Sequence, residues 1–321
     1  MHLLYSLVLA SALTLAAAPA VAQQYPAKPI RILLGFPPGG AVDVVGRLLA
    51  AKLSETLGQQ VFVDNRAGAN GIIAADLAAK SAPDGYTILL GTTGNLSVNA
   101  VLYTNLPFSF ERDLVPLTQV TTVPFLLYMH PSMPVKNLGE FIAFAKANPG
   151  KINFYSSGIG SLPHLAGEFL NSTAGIQTVH VAYKGTAPGL NDLLAGQVQF
   201  AFDAAVPGMQ YVKAGRLRVI AVTSPKRVPS MPDVPAAAET LPGFEVVNWH
   251  GMMVPAGTPR ELMARLHAEI VKAMKVPEIR EKMIAQGTDP VGSTPEEFGA
   301  FLKSESARWS RVIKDANIRA D

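Results

Sequence analysis

The stretch IRILLGFPPGGAVDVVGRLLA, residues 30–50, decides the fold. Ile30 to Leu34 is a short apolar run of strand character, closed by Gly35. After Phe36-Pro37-Pro38-Gly39-Gly40, the apolar residues Val42, Val45, Leu48 and Leu49 recur at helical spacing. The two prolines fix φ and remove two backbone donors, so the turn is stiff. Gly39 and Gly40 carry no side chain to block a guest. The expected product is strand, tight turn and helix, with the first N–H groups of the helix facing open space. Such a helix start attracts anions through its unpaired donors and the positive end of its dipole. A turn that merely packs strand on helix is the plainer reading, but ligand crevices favour this end of the strands.

Two more loops of this kind follow in the first third of the chain. The short strand Val61-Phe62-Val63 feeds Asp64-Asn65-Arg66-Ala67-Gly68-Ala69-Asn70-Gly71 and an alanine-rich helix, Ile72 to Lys80. Tyr86 to Leu90 reads as a buried strand that ends at Gly91-Thr92-Thr93-Gly94-Asn95. Further on, Ile152 to Tyr155 runs into Ser156-Ser157-Gly158-Ile159-Gly160-Ser161-Leu162-Pro163-His164, and a helix continues to about Thr173. Val179 to Ala182 is a strand before Tyr183-Lys184-Gly185-Thr186-Ala187-Pro188 and a helix over Gly189 to Ala195. Val198 to Phe202 is another strand, ending in Asp203. This alternation predicts an α/β fold, with parallel strands covered by helices.

Two long extended stretches interrupt the alternation. Leu117 to Met129 is broken by Pro124, which suits a strand that crosses between domains, and Phe244 to Val254 is the matching return. Three helical patterns close the chain: Arg260 to Met274, Glu278 to Gln286 and Pro295 to Asn317. Thr258-Pro259 and Ser293-Thr294-Pro295-Glu296-Glu297 supply their start signals. Two similar halves joined by two crossings describe a hinged binder with a central cleft. The expected division puts residues 23–123 and 250–321 in one lobe and 124–249 in the other.

Residues 1–22 read as a cleavable export leader: Leu3 to Ala22 is apolar and alanine-rich, and Ala20-Val21-Ala22 fits the cleavage rule. Its start carries His2 but no Lys or Arg, so a charged n-region is missing. The remaining roughly 300 residues suffice for two cores. With 27 basic and 24 acidic residues and no basic run, the chain has no electrostatic footprint for nucleic acid. The absence of cysteine removes disulfides, thiol catalysis and cysteine metal sites.

The enzymatic motifs fail in turn. Gly158-Ile159-Gly160-Ser161-Leu162-Pro163 has proline where a dinucleotide fingerprint needs its third glycine, and no P-loop lysine follows any glycine loop. Ser161 and His164 lie three apart at one helix start, without a G-x-S-x-G elbow, so capping or ligand contact outranks nucleophilic catalysis. The six histidines show no metal spacing. Asp203, an acid at the end of an apolar strand, is either a ligand contact or a helix cap. Asp43, in the first turn of the first helix, reads as mainly structural.

The segments YPAKPIRILLGFPPGGAVD, VDNRAGANG, PDGYTILLGTTG, FYSSGIGSLPHLAGE, HVAYKGTAP, WHGMMVPAGTP and TPEEFGAFLKSE resemble, in order, the Bug receptors. These are the periplasmic solute-binding proteins of tripartite tricarboxylate transporters. The resemblance implies a two-lobed Venus flytrap fold of the periplasmic-binding-protein type, type II-like, each lobe a mostly parallel sheet covered by helices. It implies no catalysis, no cofactor and no metal. The implied ligand is a small organic acid, mono- or dicarboxylate, held between the lobes and delivered to membrane permease subunits. A sensor that presents the same ligand to a membrane kinase is the alternative. By position, the implied contacts are Phe36, Pro37, Gly39, Gly40, Thr92, Thr93 and Asn95 from the first lobe. Ser156, Ser157, Gly160, Ser161, His164, Thr186 and Asp203 match from the second. Ala67 and Asn70 replace the proline and glycine common in the family, a small departure.

Overall fold

The computed structural model describes residues 25–103, 105–228 and 231–319, so the expected leader lies outside the described residues. β1 (Ile30–Leu34) pairs in parallel with β2 (Val61–Asn65) and β3 (Thr87–Thr92). Helices α1 (Ala41–Leu57) and α2 (Ile72–Ala79) connect these strands. β3 runs directly into a π-helical turn, Gly94–Val98, and a helical turn, Asn99–Leu102, where a polar loop was expected. β4 (Leu114–Pro124) then carries the chain along the same sheet to its edge and out of it.

The second sheet begins one residue later with β5 (Leu126–Met129). Helix α3 (Leu138–Ala147), β6 (Asn153–Ser156), α4 (Leu162–Ala174) and β7 (Val179–Ala182) follow. Then come α5 (Thr186–Leu194), β8 (Phe200–Asp203), α6 (Ala205–Lys213) and β9 (Arg218–Val222). The strand order is β7-β6-β8-β5-β9. β10 (Val247–Pro255) returns to the first sheet, and α7 (Arg260–Met274), α8 (Pro277–Ala285), β11 (Asp289–Pro290) and α9 (Pro295–Asp315) complete it. The order of that sheet is β11-β4-β10-β3-β1-β2.

Both sheets are mixed rather than mostly parallel, for a reason rooted in the crossings. β4 runs towards the hinge and β10 away from it, so these neighbours pair antiparallel. For the same reason β5, which leaves the hinge, is antiparallel to both β8 and β9. The parallel ladders β2-β1-β3 and β7-β6-β8 supply the expected α/β halves. α5 begins at Thr186, three residues earlier than its sequence pattern, because Pro188 is tolerated in a first helical turn.

The core of each lobe lies on both faces of its sheet. In the first, Ile30, Ile32, Leu34 and Leu90 pack against Val45 and Leu49 of α1, while Leu33 and Leu89 pack against Ala74, Trp249 and Phe298. In the second, Phe154, Phe200 and Phe202 join Leu165 and Leu170 of α4. That core also contains Trp309, Val312 and Ile313, so α9 starts on the first lobe and ends inside the second. Both tryptophans of the chain donate to the buried Glu305 between these two halves of α9, Trp249 at 3.0 Å and Trp309 at 3.1 Å.

Thr223 holds the two crossings together. Its hydroxyl accepts the Phe125 N–H at 2.9 Å, its own N–H donates to the Phe125 carbonyl at 2.9 Å, and the Val246 N–H reaches its carbonyl at 3.1 Å. Thr223 is fully buried, so water cannot replace these bonds. Thr223→Val keeps the shape but strands the Phe125 N–H, and should cost about 1–3 kcal/mol in urea unfolding. Thr223→Ser should recover most of that loss; equal stability of the valine variant and the parent would refute the assignment.

Candidate functional site

The parallel strands of both lobes end at the edge where the chain crosses. Leu126, the first residue of β5, pairs with Asp203, the last of β8, and Pro124 pairs with Val247. The turns after β1 and β3 and those after β6, β7 and β8 therefore border the same hinge. All fourteen candidate residues lie in or beside these turns.

In the first lobe, the Phe36–Gly40 turn is fixed from behind. Buried Asp43 accepts the Gly39 N–H and the Arg47 Nε on one oxygen, both at 2.9 Å. Its other oxygen accepts Asn65 Nδ2 at 2.9 Å, and the same amide donates to the Phe36 carbonyl at 3.0 Å. Burial alone would push the Asp43 carboxyl up, but the hydrogen bonds from Arg47, Gly39 and Asn65 hold it below the usual carboxylate range. Gly39 adopts φ +93°, the left-handed region that favours glycine. Pro37, Gly39 and Gly40 are exposed and Phe36 is half-buried. No side chain caps α1, and a Cβ built on Gly40 meets nothing within 4 Å. The first N–H groups of a 17-residue helix thus face open space.

The other turns of this lobe brace that one. A Cβ on Gly35 would sit 2.5 Å from the Cα of Gly71, and one on Gly71 would sit 2.9 Å from Asn95, so three turns touch at glycines. Asn95 Oδ1 accepts the Thr92 N–H at 2.6 Å, while its buried Nδ2 has no partner among the described residues. Asn70 and Asn99 exchange hydrogen bonds of 2.8 and 2.9 Å. Thr93 is fully buried, and its hydroxyl accepts the Trp249 N–H at 3.0 Å and reaches the Val247 carbonyl at 3.4 Å. That hydroxyl binds the turn to the return crossing, away from any guest.

In the second lobe, three candidates, Ser156, Gly160 and His164, build one cluster with His180. Ser156 Oγ lies 2.6 Å from His180 Nε2 and accepts the Gly158 N–H at 3.1 Å. The Gly160 N–H donates to His164 Nδ1 at 3.1 Å, which places the proton of His164 on Nε2. The His164 and His180 rings stack, with centroids 3.8 Å apart and 13° between planes. Ser157 is half-buried and accepts the Gly185 N–H at 3.2 Å through its carbonyl. Ser161 precedes α4 without capping it, and its hydroxyl is buried and unpartnered among the described residues. Thr186 opens α5 beside Asp203. Asp203 accepts the Tyr155 O–H at 2.9 Å and the Ala204 N–H at 2.8 Å. The lobes touch beside this cluster, where a Cβ on Gly160 would lie 2.9 Å from Leu102 and Val98 joins the second core.

Helix starts at this edge are left open: α1, α4, α5 and α6 have no side-chain cap. α3 and α9 are capped, by Asn137 and Thr294, while α2, α7 and α8 also start without a side-chain cap. None of the candidate residues is cationic, and no group of three or more metal-ligating side chains occurs among the described residues. The arrangement suits an anion held by backbone donors and dipoles. A cavity of about 750 Å³ lies elsewhere, lined by Leu96, Phe110, Met253, Met263 and Leu302, and includes none of the candidates. Its lining is mainly apolar and sets Lys303 and Ser306 beside Glu111 and Glu296, whereas the polar turns carry the open helix starts. Asn65, Asn70, Tyr155 and His180 were missed from sequence; the signal available was a polar residue at or just beyond each parallel strand.

Two sheets joined by a double crossing, with open turns at their shared edge, define a two-lobed periplasmic binding protein. The chain belongs to the family described as tripartite tricarboxylate transporter family receptor, which matches residues 45–318. BugT of Bordetella pertussis is 37% identical over 305 residues, covering 94% of this chain and 94% of its own. Rpa4515 of R. palustris, solved with adipate, is 33% identical with a TM-score of 0.79 and covers 92% of this chain and 99% of that one. MatC from Rhodopseudomonas palustris, solved with bound malate, is 30% identical with a TM-score of 0.75 over 90% and 100%.

Gly40→Val should leave the unliganded melting temperature unchanged, since φ at Gly40 is −76° and its Cβ has room. It should abolish ligand binding in calorimetry, because the branched side chain fills the space before α1. Undiminished affinity would make the turn a packing device only.

The stacked histidines give a pH signature. Burial lowers His164 to about 4, with His180 adding to the effect, and burial lowers His180 to about 4. Both values lie below the ordinary 6.5, so the fold favours the neutral rings. That contribution is present above pH 6.5 and lost as pH falls towards 4. Unfolding free energy should drop by up to ~1.4 kcal/mol per pH unit for His164, and by less for the partly exposed His180. His180→Phe keeps a stacked ring and should give a shallower slope in urea titrations from pH 7 to 4; an unchanged slope would exclude the pair as its source.

Proposed function

We propose that this chain is an exported receptor that captures a carboxylated small molecule between its lobes and hands it to the permease subunits of a tripartite transporter. The observation that carries the reading is the open start of α1 behind the Phe36–Gly40 turn, with unclaimed N–H groups and free space before Gly40. Family membership and the relatives solved with adipate and malate support it. Charged hydrogen bonds contribute about 1.5–3 kcal/mol each. Three or four of them, offset by the costs of association and closure, reach micromolar affinity.

The lobes divide at Phe125 and at the 223–247 return, and ligand closes them about these crossings. The fourteen candidate residues line the cleft, with Thr93 acting as a brace and the others facing or shaping the guest. Binding proceeds without chemistry on the ligand, and residues 1–22 direct export and are then removed.

Thermal unfolding against a panel of mono- and dicarboxylates tests this reading. A true ligand at a hundred times its Kd adds about 2.7 kcal/mol, which should raise the melting temperature by roughly 5–10 °C. The matching carboxamides should have no effect. A panel in which no acid shifts the transition, or in which amides act equally, would overturn carboxylate capture. Loss of uptake of that acid from cells lacking this receptor would tie it to transport.

A further inference from the structure

Asp203 is the only candidate residue with an acidic side chain, and it lies in a site built for anions. It is 7% exposed. Oδ1 accepts the Ala204 N–H that leads into α6, Oδ2 accepts the Tyr155 O–H, and Thr186, at the start of α5, lies beside them. No lysine, arginine or histidine among the described residues forms an ion pair with it. Burial pushes the carboxyl above its usual range, and the bonds from Ala204 and Tyr155 offset this only in part. The protein's own carboxylate thus occupies the place in the second lobe where two open helix starts converge.

The first lobe is arranged differently. Its buried acid, Asp43, is consumed by Arg47, Gly39 and Asn65, and the exposed turn before α1 carries no negative side chain. A guest carboxylate is welcome at α1. A second one reaching towards Asp203 would bring two carboxyl groups together in dry surroundings, where both cannot ionise without strong repulsion. Ala204 and Tyr155 each use one acceptor position, one per oxygen, and the positions left can accept an N–H or O–H of the guest.

We propose that the ligand carries a single carboxylate, bound at the first lobe, and presents an N–H or O–H donor to Asp203 at its other end, in preference to an unsubstituted diacid. This rests on the carboxylate-receptor reading above and narrows it to one class of acid. The test is calorimetry at pH 7.5 on the mature chain with three series of matched length. The probes are 4-aminobutyrate, 4-hydroxybutyrate and succinate; 6-aminohexanoate, 6-hydroxyhexanoate and adipate; and 4-aminobenzoate, 4-hydroxybenzoate and terephthalate. In the series that fits, the donor-bearing acid should bind at least tenfold tighter than the diacid. Asp203→Asn should weaken that acid tenfold or more and leave the diacid unchanged or tighter. Tyr155→Phe, which removes a donor to Asp203 but no charge, should preserve the order of preference and guards against misfolding of the first variant. A parent protein that prefers the diacid, or an Asp203→Asn variant that weakens both equally, overturns the proposal. Binding by no member of any series overturns the carboxylate reading itself, and the proposal with it.

Discussion

The fold depends on the contact at Thr223, where one buried residue bonds to both strands that pass between the lobes. Phe125 and Val246 are neighbours through this threonine, so the crossings act as one joint. Because each crossing enters its sheet beside the ends of the parallel strands, the joint also fixes where the open turns lie. Antiparallel pairing of β4 with β10, and of β5 with β8 and β9, follows from the same constraint. The second half of α9 adds a third tie, with Glu305 bonded to a tryptophan from each side.

At the shared edge several helix starts present unpaired backbone donors. A helix start normally acquires a side-chain cap, as at Asn137 and Thr294, because unpaired N–H groups favour a partner. The four starts at this edge lack one, as do α2, α7 and α8. The polar side chains nearby are instead spent on one another: Asp43 with Arg47 and Asn65, Ser156 with His180, Asp203 with Tyr155. Under the proposed function, this division of labour makes the backbone the binding surface and the side chains its scaffold. It also keeps the turns rigid before a guest arrives, which lowers the ordering cost of binding.

Membership in the tripartite tricarboxylate transporter receptor family accords with this design, since backbone donors recognise a carboxylate without regard to what it is attached to. Relatives holding adipate and malate share the scaffold at about 30% identity. The opposite lobe sets a buried acid, Asp203, near two tyrosines, Tyr128 and Tyr155, whose hydroxyls burial pushes far above their usual range.

The sequence by itself determined the local units and much of their order. Pro37-Pro38-Gly39-Gly40 allows little but a stiff open turn, and apolar runs such as Ile30–Leu34 and Phe200–Phe202 can be buried only as strands. The crossings were legible in the break at Pro124 and in the long run that ends at Val254, and motif order was enough to identify the family. Tertiary structure alone decided that Thr93 faces the return crossing while Thr92 faces Asn95, because adjacent residues point to opposite sides and only the partner strand distinguishes them. It alone stacked His164 on His180, set Asn65 behind the first turn, and carried α9 from one core into the other. Such pairings join residues 16 to 56 or more positions apart in the chain, as in His164 with His180 and Trp249 with Glu305. Local pattern specifies which residues seek burial or a hydrogen bond; packing specifies which partner each one finds.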